Sequence, residues 1–503
     1  MKRKSVPIII VSLLIALVFN WFFYGKPPGI SVFIFSSLIL GFTFYLAQKF
    51  RNPLNMAILW LSPVILFFSL MVFVRANEFL AAMNIFIVLY LLAWVVRLGH
   101  QPNVNLSHYK VFQYISLLTA VPLRIAGEAV RFLLKLVSGR NTAEKKSSAA
   151  PVIRGLILSL PVLVIFLILL SSADLVFKQY VGSLFNPDIS PETIFRLGLI
   201  GFVASMFMGA YALIFMPTSR PEADHQTSNI KFGLGTTESS VILGSVGLLF
   251  FAFVMVQLAY LFGGADQIVA TGHTYAEYAR KGFFELITVA ALSLALILTI
   301  KNSTTFLTKQ QAFTFKWLSG TLVALVLVIM LSAHMRLNLY EEAYGFTTLR
   351  LVSHLFILWL AIAFALLLFH IVREESEGRL ASRLFTSALC FFAVINIINP
   401  DNFIAQQNIN RFNRSGKLDP YYLSNLSEDA APAIAGLLDH PNKELKDSAA
   451  NMLYKQQRRV RRLPDNWQSA NLSRSHANQI FRSNAAQIEA SKLFNTYPDL
   501  NAR

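Results

Sequence analysis

The sequence predicts an all-α polytopic integral membrane protein, with about eleven transmembrane helices and a small helical tail at the C-terminus. Hydrophobic residues make up 55% of the 503 residues and charged residues 14%, whereas soluble domains carry roughly 25% charged residues. The apolar residues are grouped in blocks of about 18–23, the length of helix that crosses a hydrocarbon core ~30 Å thick. A helix also satisfies its own backbone hydrogen bonds, which lipid cannot do.

Apolar blocks of this length recur from the N-terminus to about residue 399. We predict spans near 7–24, 29–47, 54–74, 78–96, 155–176, 194–216, 240–262, 282–300, 317–335, 348–371 and 384–399. The first block follows M-K-R-K but no small-residue cleavage site comes after it, so we expect an uncleaved span rather than a signal peptide. Pro63 and Pro161 fall inside blocks, where neighbouring helices tolerate a kink.

Basic residues are distributed unevenly between the two ends of the predicted spans. The net charge of +17 would suit a nucleic-acid ligand, but Lys and Arg lie mainly beside spans, where they orient helices and contact anionic lipid. If the N-terminus is in the cytoplasm, most of these basic residues lie in cytoplasmic segments, and the tail, from about Pro400, lies on the outer face. We therefore predict anionic lipid, and no nucleic acid, as the partner of the basic face. The single cysteine, Cys390, excludes an internal disulfide.

The same patterns divide the chain into four regions. Residues 1–96 hold four spans, 97–154 form a basic cytoplasmic segment, 155–399 hold seven spans and 400–503 form a polar helical tail. In the basic segment, charged residues repeat on one helical face and apolar residues on another: Arg124, Glu128, Arg131 and Lys135 against Ile125, Phe132, Leu133 and Leu136. This pattern predicts an amphipathic helix in the membrane interface, with docking of a protein partner as the alternative.

The tail carries the signals of a short helix pair. Ser427 precedes E-D-A-A and is the predicted helix cap. The run R-R-V-R-R at 458–462 is either a solvated face or a contact site for an anionic partner. Apolar residues at helical spacing predict one buried stripe, formed by Leu423, Leu426, Ala430, Ile434 and Leu437.

Strong catalytic and cofactor motifs are missing from the sequence. It contains no G-x-x-x-x-G-K-[ST], no G-x-S-x-G, no H-E-x-x-H and no paired C-x-x-C. We therefore predict no catalytic residue, cofactor or metal, and we favour a protein that is not an enzyme. Ionisable residues at membrane depth remain as candidates, because their burial in lipid is costly.

The first candidate cluster precedes the eighth span, in T-Y-A-E-Y-A-R-K-G-F-F-E-L at 274–286. On a helix, Glu277 reaches Arg280 and Lys281, and Lys281 reaches Glu285, at spacings of three or four residues. The cluster is either an anchor of ion pairs and tyrosines at headgroup level or a substrate or ion site at the outer mouth of the span.

The second candidate cluster lies in the hairpin between the ninth and tenth spans. Its members are His334, Arg336, Glu341, Glu342, Arg350 and His354. Arg350 and His354 share a helix face, and His354 lies roughly 10 Å below the loop at 1.5 Å per residue. These charges can neutralise one another as a structural cap. They can also bind a metal, relay protons or grip an anionic headgroup, although no ligand spacing favours zinc.

A resemblance to a known family rests on four blocks between about Ser240 and Leu438. They are T-Y-A-E-Y-A-R-K-G-F-F-E-L, R-L-N-L-Y-E-E-A-Y-G-F-T-T-L-R, I-N-P-D-N-F-I-A-Q-Q-N-I and L-D-P-Y-Y-L-S-N-L-S-E-D-A-A-P-A. Together they resemble a family of bacterial multi-pass membrane proteins known only as a domain of unknown function. The resemblance implies a bacterial cytoplasmic (inner) membrane location and places the exit from the last span at Asn399, Pro400 and Asp401. It implies no activity, cofactor or catalytic residue.

Three functions stay open at this point. The first is a non-enzymatic scaffold or sensor-like component that presents its tail and the two clusters at the outer face, with a protein partner still to be identified. The second is a transporter of a small or lipidic solute, with Glu285, Arg350 and His354 lining its path. The third is a membrane enzyme that acts on lipid-linked substrates, with Glu341 or Glu342 as base.

Overall fold

A computed structural model of the chain describes residues 2–99, 101, 104–137, 191–216, 235–262, 283–304 and 308–490. These residues form α-helices and short 3-10 helices, and no β-strand occurs among them. The predicted all-α class is therefore confirmed. The fifth predicted span, 155–176, lies outside the described residues.

The long helices of the bundle, in chain order, are α1 (Lys2–Phe23), α2 (Ile30–Lys49), α3 (Met56–Val74), α4 (Glu78–Gly99), α5 (Val111–Val137), α6 (Pro191–Phe215), α7 (Thr236–Phe262), α8 (Phe283–Ser303), α9 (Lys309–Tyr344), α10 (Thr348–Arg373) and α11 (Glu377–Ile398). The helices of the polar tail are α12 (Pro400–Ser415), α13 (Pro420–Asn425), α14 (Ala431–Ala435), α15 (Lys443–Val460), α16 (Leu472–Ser483) and α17 (Ala485–Ala490).

Nine of the described helices are long and apolar enough to cross a membrane: α1 to α4, α6, α7 and α9 to α11. The protein is thus an all-α polytopic membrane protein. Helix α8 occupies the eighth predicted span, and its 21 residues extend about 32 Å at 1.5 Å per residue. The total of about eleven spans stays a prediction.

Several helices are longer than the apolar blocks that predicted them. Helix α9 runs for 36 residues, about 54 Å, so it projects beyond a hydrocarbon core ~30 Å thick. It begins at a capping box between Thr308 and Gln311, which satisfies free amides at its N-terminus. Helix α11 begins at Glu377, seven residues before its predicted start, because its amphipathic first turns pack against the 3-10 turn at Leu106–His108.

The turns between helices are grouped at two ends of the bundle. One end, here called the tail end, holds the turns at 24–29, 75–77 and 345–347, which contact residues 400–490, here called the C-terminal domain. The other, here called the opposite end, holds Lys4, whose ammonium donates to the Phe215 carbonyl at 3.3 Å. It also holds Asn55, whose amide donates to the carbonyls of Gln101 and Val104. The described turns thus alternate between the two ends, as a polytopic topology requires.

Helix α5 lies across the bundle near the opposite end. Its first turns reach Trp94 near the end of α4, where the Tyr114 ring lies 4.7 Å from the indole. Its later turns bury Phe132 in a cluster with Ile8 and Leu46, which lie near that same end on α1 and α2. The predicted charged face is not uniform, because the Glu128 side chain is buried and lies 3.4 Å from the Arg131 guanidinium.

The C-terminal domain has its own apolar core, and helix α10 contributes to it. The predicted stripe of five residues from Leu423 to Leu437 is fully buried there, which confirms the prediction. Leu351 of α10 belongs to the same cluster, with Phe346 and Leu355 packed against it. The Ser427 hydroxyl accepts from the amide of Asp429, so the predicted cap is also confirmed. The domain therefore shares its core with the bundle.

Candidate functional site

The turn between α9 and α10 is built around Gly345. This residue has φ +83° and ψ 178°, a conformation that is essentially restricted to glycine. A Cβ atom there would also lie 2.6 Å from Oδ1 of Asn408 in α12. Thr347 then caps the start of α10, because its hydroxyl accepts from the Arg350 amide. The tight turn brings the end of α9 and the start of α10 side by side.

Three residues of the second candidate cluster form a hydrogen-bonded chain below this turn. The Nε2 atom of His354 lies 3.0 Å from Oε2 of Glu341, and the Nδ1 atom of His354 lies 3.0 Å from Nδ1 of His334. The Glu341 side chain is 7% exposed and that of His354 is 15% exposed. The Oε1 atom of Glu341 has no hydrogen-bond partner in the part of the chain that the structure describes. The cluster therefore contains a buried carboxylate held by a single imidazole.

The arginines and the second carboxylate of the cluster occupy other positions. The Arg350 guanidinium is buried, donates to the Gly345 carbonyl and lies 3.9 Å from the centre of the Tyr340 ring. It thus stabilises the turn through a cation–π contact and a bond to the backbone. Glu342 is exposed and Arg336 is half-buried. Three of the six predicted residues thus meet, and Arg350 closes the turn beside them.

The C-terminal domain holds the α9–α10 turn from outside, first through Asn408. The Asn408 amide nitrogen donates to the Phe346 carbonyl at 2.8 Å, and its oxygen accepts from the Phe346 amide at 2.9 Å. One side chain thereby satisfies both backbone groups of a turn residue.

Two further side chains of the C-terminal domain complete this contact. The Arg411 guanidinium donates to the carbonyls of Glu342 and Ala343 at 3.0 and 2.8 Å. These carbonyls are in the last turn of α9, where no intrahelical donor is available. The Tyr422 hydroxyl accepts from the Thr348 amide at 2.8 Å in the first turn of α10. Both open helix ends are thus capped from the domain.

A second turn, between α3 and α4, is held by buried carboxylates. The Asp429 carboxylate accepts from the amides of Ala76 and Asn77 at 2.8 and 3.0 Å. The Asp401 carboxylate accepts from the Asn77 side chain and from the Ser427 amide, each at 2.9 Å. Because the amides lie at the start of α4, a negative charge there also interacts favourably with the helix dipole.

Carbonyl groups of the same turn are bound by amide and guanidinium donors. The Asn471 side chain donates to the carbonyls of Val72 and Arg75 at 3.1 and 2.7 Å. The Arg75 guanidinium in turn donates to the Asn396 carbonyl of α11 at 2.8 Å. The end of α3 is therefore tied to both the C-terminal domain and α11.

A third turn, between α1 and α2, meets the segment before α16. The Ser469 hydroxyl donates to the Pro27 carbonyl at 2.7 Å, and the Ile30 amide donates to the Ala470 carbonyl at 3.0 Å. The Trp467 ring packs edge-on against two aromatic rings of α1. The C-terminal domain thus contacts three helical hairpins at once.

A cleft of about 320 Å³ separates the C-terminal domain from the bundle beside the second turn, near the lower limit of small-molecule sites. Arg75, Asn402, Glu428, Asp429 and His476 contribute to its lining. Burial raises the pKa of the Glu428 carboxyl, which Arg459 opposes from 3.4 Å. Burial raises the pKa of the Asp429 carboxyl as well, although its hydrogen bonds to Ser473 and Ala76 oppose the shift.

The first candidate cluster is only partly within the described residues. Glu277 and Arg280 lie outside them, and Glu285 is exposed in the first turn of α8. A shared path past Glu285, Arg350 and His354 therefore stays a prediction. No group of three His, Cys, Asp or Glu side chains with metal-binding geometry occurs among the described residues.

Asn408, Tyr422 and Asp429, which hold two of the turns, were not singled out by the sequence analysis, although two of the four family-like blocks contain them. Asn408 is in the block I-N-P-D-N-F-I-A-Q-Q-N-I, and Tyr422 and Asp429 are in the block that begins L-D-P-Y-Y. A polar side chain flanked by buried apolar residues, as Asn408 is by Ile404 and Ala405, was the available signal.

One family model covers most of these elements. It is described as Domain of unknown function (DUF4153), and it matches residues 63–437. The chain belongs to this family. The DUF4153 match begins within α3, so it includes the α3–α4 turn, the hairpin cluster and Asp429, and it ends before Ser469 and Asn471. Comparison with curated proteins and with solved structures gives no match.

Proposed function

We propose that this DUF4153 protein is a non-enzymatic membrane scaffold whose bundle holds the C-terminal domain in one fixed orientation for a partner. The observation that carries the proposal is the contact of one domain with three hairpin turns through side chains that bond to backbone groups. These bonds would not be required if the C-terminal domain were connected to the bundle only by the chain after α11. Fixed presentation is the property that a scaffold requires.

The surface offered to the partner is the side of the C-terminal domain that faces away from the bundle. Tyr421 of this domain is 64% exposed. In the run R-R-V-R-R, Arg461 and Arg462 are exposed, whereas Arg459 donates to carbonyls of the domain itself. An exposed aromatic ring and two arginines are residue types enriched in protein interfaces.

The domain lies on the outer face of a bacterial cytoplasmic membrane in this proposal. Among the described residues of the bundle, basic side chains are more frequent at the opposite end, as the cytoplasmic side requires. The exposed apolar side chains of α5, such as Phe112, Ile115 and Leu123, enter the interface there. Arg124 and Arg131 contact anionic lipid.

The experiment places a photo-crosslinking amino acid at Tyr421 or Arg461 in intact cells, and at the exposed Asn410 as a second tail position. A scaffold gives one discrete adduct whose yield depends on the position. The same adduct is reduced when Asp429→Ala weakens the domain's hold on the α3–α4 turn, at equal protein level. Absence of an adduct at every exposed position of the C-terminal domain would contradict the proposal.

A second assay separates scaffold from the other two functions. The purified protein is reconstituted in liposomes, and the flip rate of a fluorescent phospholipid is compared with that of empty liposomes. A scaffold gives equal rates, whereas a transporter of lipidic solutes raises the rate, and Arg350→Ala or His354→Ala then abolishes the increase. For an enzyme, Glu341→Gln removes turnover of a lipid-linked substrate analogue, and a scaffold shows none.

A further inference from the structure

The chain of Glu341, His354 and His334 permits only two hydrogen arrangements in which both imidazoles are neutral. The contact between the two Nδ1 atoms at 3.0 Å holds one hydrogen, because two N–H groups cannot point at each other. The contact between His354 and Glu341 at 3.0 Å holds another. The hydrogen positions of all three side chains are therefore linked.

The first arrangement contains an ionised carboxylate. Glu341 accepts from Nε2–H of His354, and Nδ1 of His354 accepts from Nδ1–H of His334. Nε2 of His334 carries no hydrogen, so it is free to accept a proton. A buried carboxylate with one oxygen that has no partner among the described residues is unfavourable in a protein interior.

The second arrangement follows when one proton binds to Nε2 of His334. The hydrogen on Nδ1 of His334 then passes to Nδ1 of His354, and the hydrogen on Nε2 of His354 passes to Glu341. Both imidazoles are neutral again, in their other tautomers, and Glu341 is a neutral carboxylic acid. Each hydrogen moves along a contact of 3.0 Å, and one proton has neutralised one buried charge.

We propose that Glu341, His354 and His334 form a proton-binding site that takes up one proton from the tail end of the bundle. The site reaches from about 5 to 15 Å below Tyr344, counting 1.5 Å per residue along α9. Towards the opposite end, the next ionisable residue on α10 is His370, about 24 Å from His354. On α9 it is Lys316, about 27 Å from His334. Between them lie apolar core residues such as Ile357, Leu360 and Phe364.

Because of this apolar core, the site binds a proton but does not conduct it to the opposite end of the bundle. A proton enters and leaves on the same side, so its occupancy reports the pH at the tail end. Among the described residues, the charged groups of the surrounding elements at this end include Arg336 and Glu342 on α9, Arg350 on α10, Arg411 on α12 and Glu285 on α8. Their charges set the pH at which the site titrates.

A metal ion does not fit the same atoms. Glu341 and His334 bind opposite nitrogens of the His354 ring, so they cannot converge on one ion. A ligand distance of about 2.0–2.1 Å to each imidazole would also require the two facing nitrogens to move apart. The inference does not depend on which partner the C-terminal domain binds.

The test uses infrared difference spectra of the full-length protein in lipid nanodiscs between about pH 8 and 5, where histidine titrates. The proposal predicts that wild type gains a protonated-carboxyl component at the lower pH that Glu341→Gln lacks. The adjacent exposed carboxylate supplies the matched control, because Glu342→Gln keeps this component. Identical difference spectra of wild type and Glu341→Gln, or loss of the component in Glu342→Gln alone, would overturn the proposal.

A second measurement needs no substitution and so covers the case in which Glu341→Gln does not fold. Nitrogen-15 NMR of histidine-labelled wild-type protein detects the tautomer of each ring. At the higher pH, the proposal predicts an Nδ1–H tautomer for His334 and an Nε2–H tautomer for His354. Both rings change to their other tautomers together as the pH falls, with the uptake of about one proton. Two histidines at the site that titrate independently, as solvated rings do, would refute it. His476→Asn, an exposed histidine of α16, removes one independent signal and leaves the coupled pair.

Discussion

Asn408 of α12 pairs with the backbone of Phe346, donating to its carbonyl at 2.8 Å and accepting from its amide at 2.9 Å. The two residues are 62 positions apart, and their contact joins the C-terminal domain to the turn that carries the buried carboxylate. It is the clearest single example of a side chain in the domain that completes the hydrogen bonding of the bundle.

Asn408→Ala is expected to leave both backbone groups of Phe346 without a protein partner. The expected loss is about 1–3 kcal/mol of unfolding free energy, the penalty for unsatisfied buried polar groups. Denaturant unfolding in nanodiscs measures it. The matched control is Asn410→Ala, which changes an exposed asparagine two positions away and is expected to stay within about 0.5 kcal/mol of wild type. Equal effects of the two substitutions would show that the pairing does not stabilise the fold.

Gly345→Ala is expected to destabilise more than Gly416→Ala. Both glycines have positive φ, but Gly345 alone has a conformation restricted to glycine and a neighbour 2.6 Å from the added Cβ. A strained backbone residue of this kind costs of order 1–3 kcal/mol, and Asn408 must also shift. At Gly416, nothing lies within 4 Å of the added Cβ. Thermal unfolding of both variants gives the comparison, and a smaller loss for Gly345→Ala would be inconsistent with the described turn.

The buried carboxyl of Glu428 is expected to make stability depend on pH. Burial raises its pKa in the folded protein, so the folded state binds more protons than the unfolded state above about pH 4. Its stabilising contribution is therefore complete below that pH and is lost as the pH rises through the folded pKa. Glu428→Gln removes this contribution, so the difference in melting temperature, wild type minus variant, should fall as the pH rises above about 4. A difference that rises over this range would contradict the sign.

The sidedness of the protein is tested by cysteine labelling in a Cys390→Ser background. A membrane-impermeant maleimide is expected to label Tyr421→Cys in intact cells, because the C-terminal domain is proposed on the outer face. Lys309→Cys, at the opposite end, should react only after permeabilisation. The reverse pattern would place the tail in the cytoplasm and would contradict the proposed orientation.

The sequence analysis predicted the elements that depend on local pattern. Blocks of apolar residues located the helices, and the helical spacing of Leu423 to Leu437 located the core of the C-terminal domain. The inward position of Glu341 also follows from local spacing, because Ala333 and Leu337 lie on the same buried face of α9. Glu342 is one position further and points outwards.

Such local patterns could not predict the contacts between the C-terminal domain and the bundle. Asp429 and Ala76 are 353 residues apart, and no periodicity in either segment indicates the other. A short polar side chain such as Asn408 also has the same local signature whether it is solvated or bonded to a distant backbone group. Only the fold brings these partners together.

The central claim is that the C-terminal domain is fixed on three hairpin turns. Its most direct test is the distance distribution between spin labels at Tyr421→Cys in the domain and Phe79→Cys in α4, both exposed positions, in a Cys390→Ser background in nanodiscs. We predict one narrow distribution that broadens when Asn408→Ala and Asp429→Ala are combined. A broad or multimodal distribution in the chain with both residues intact would contradict the account.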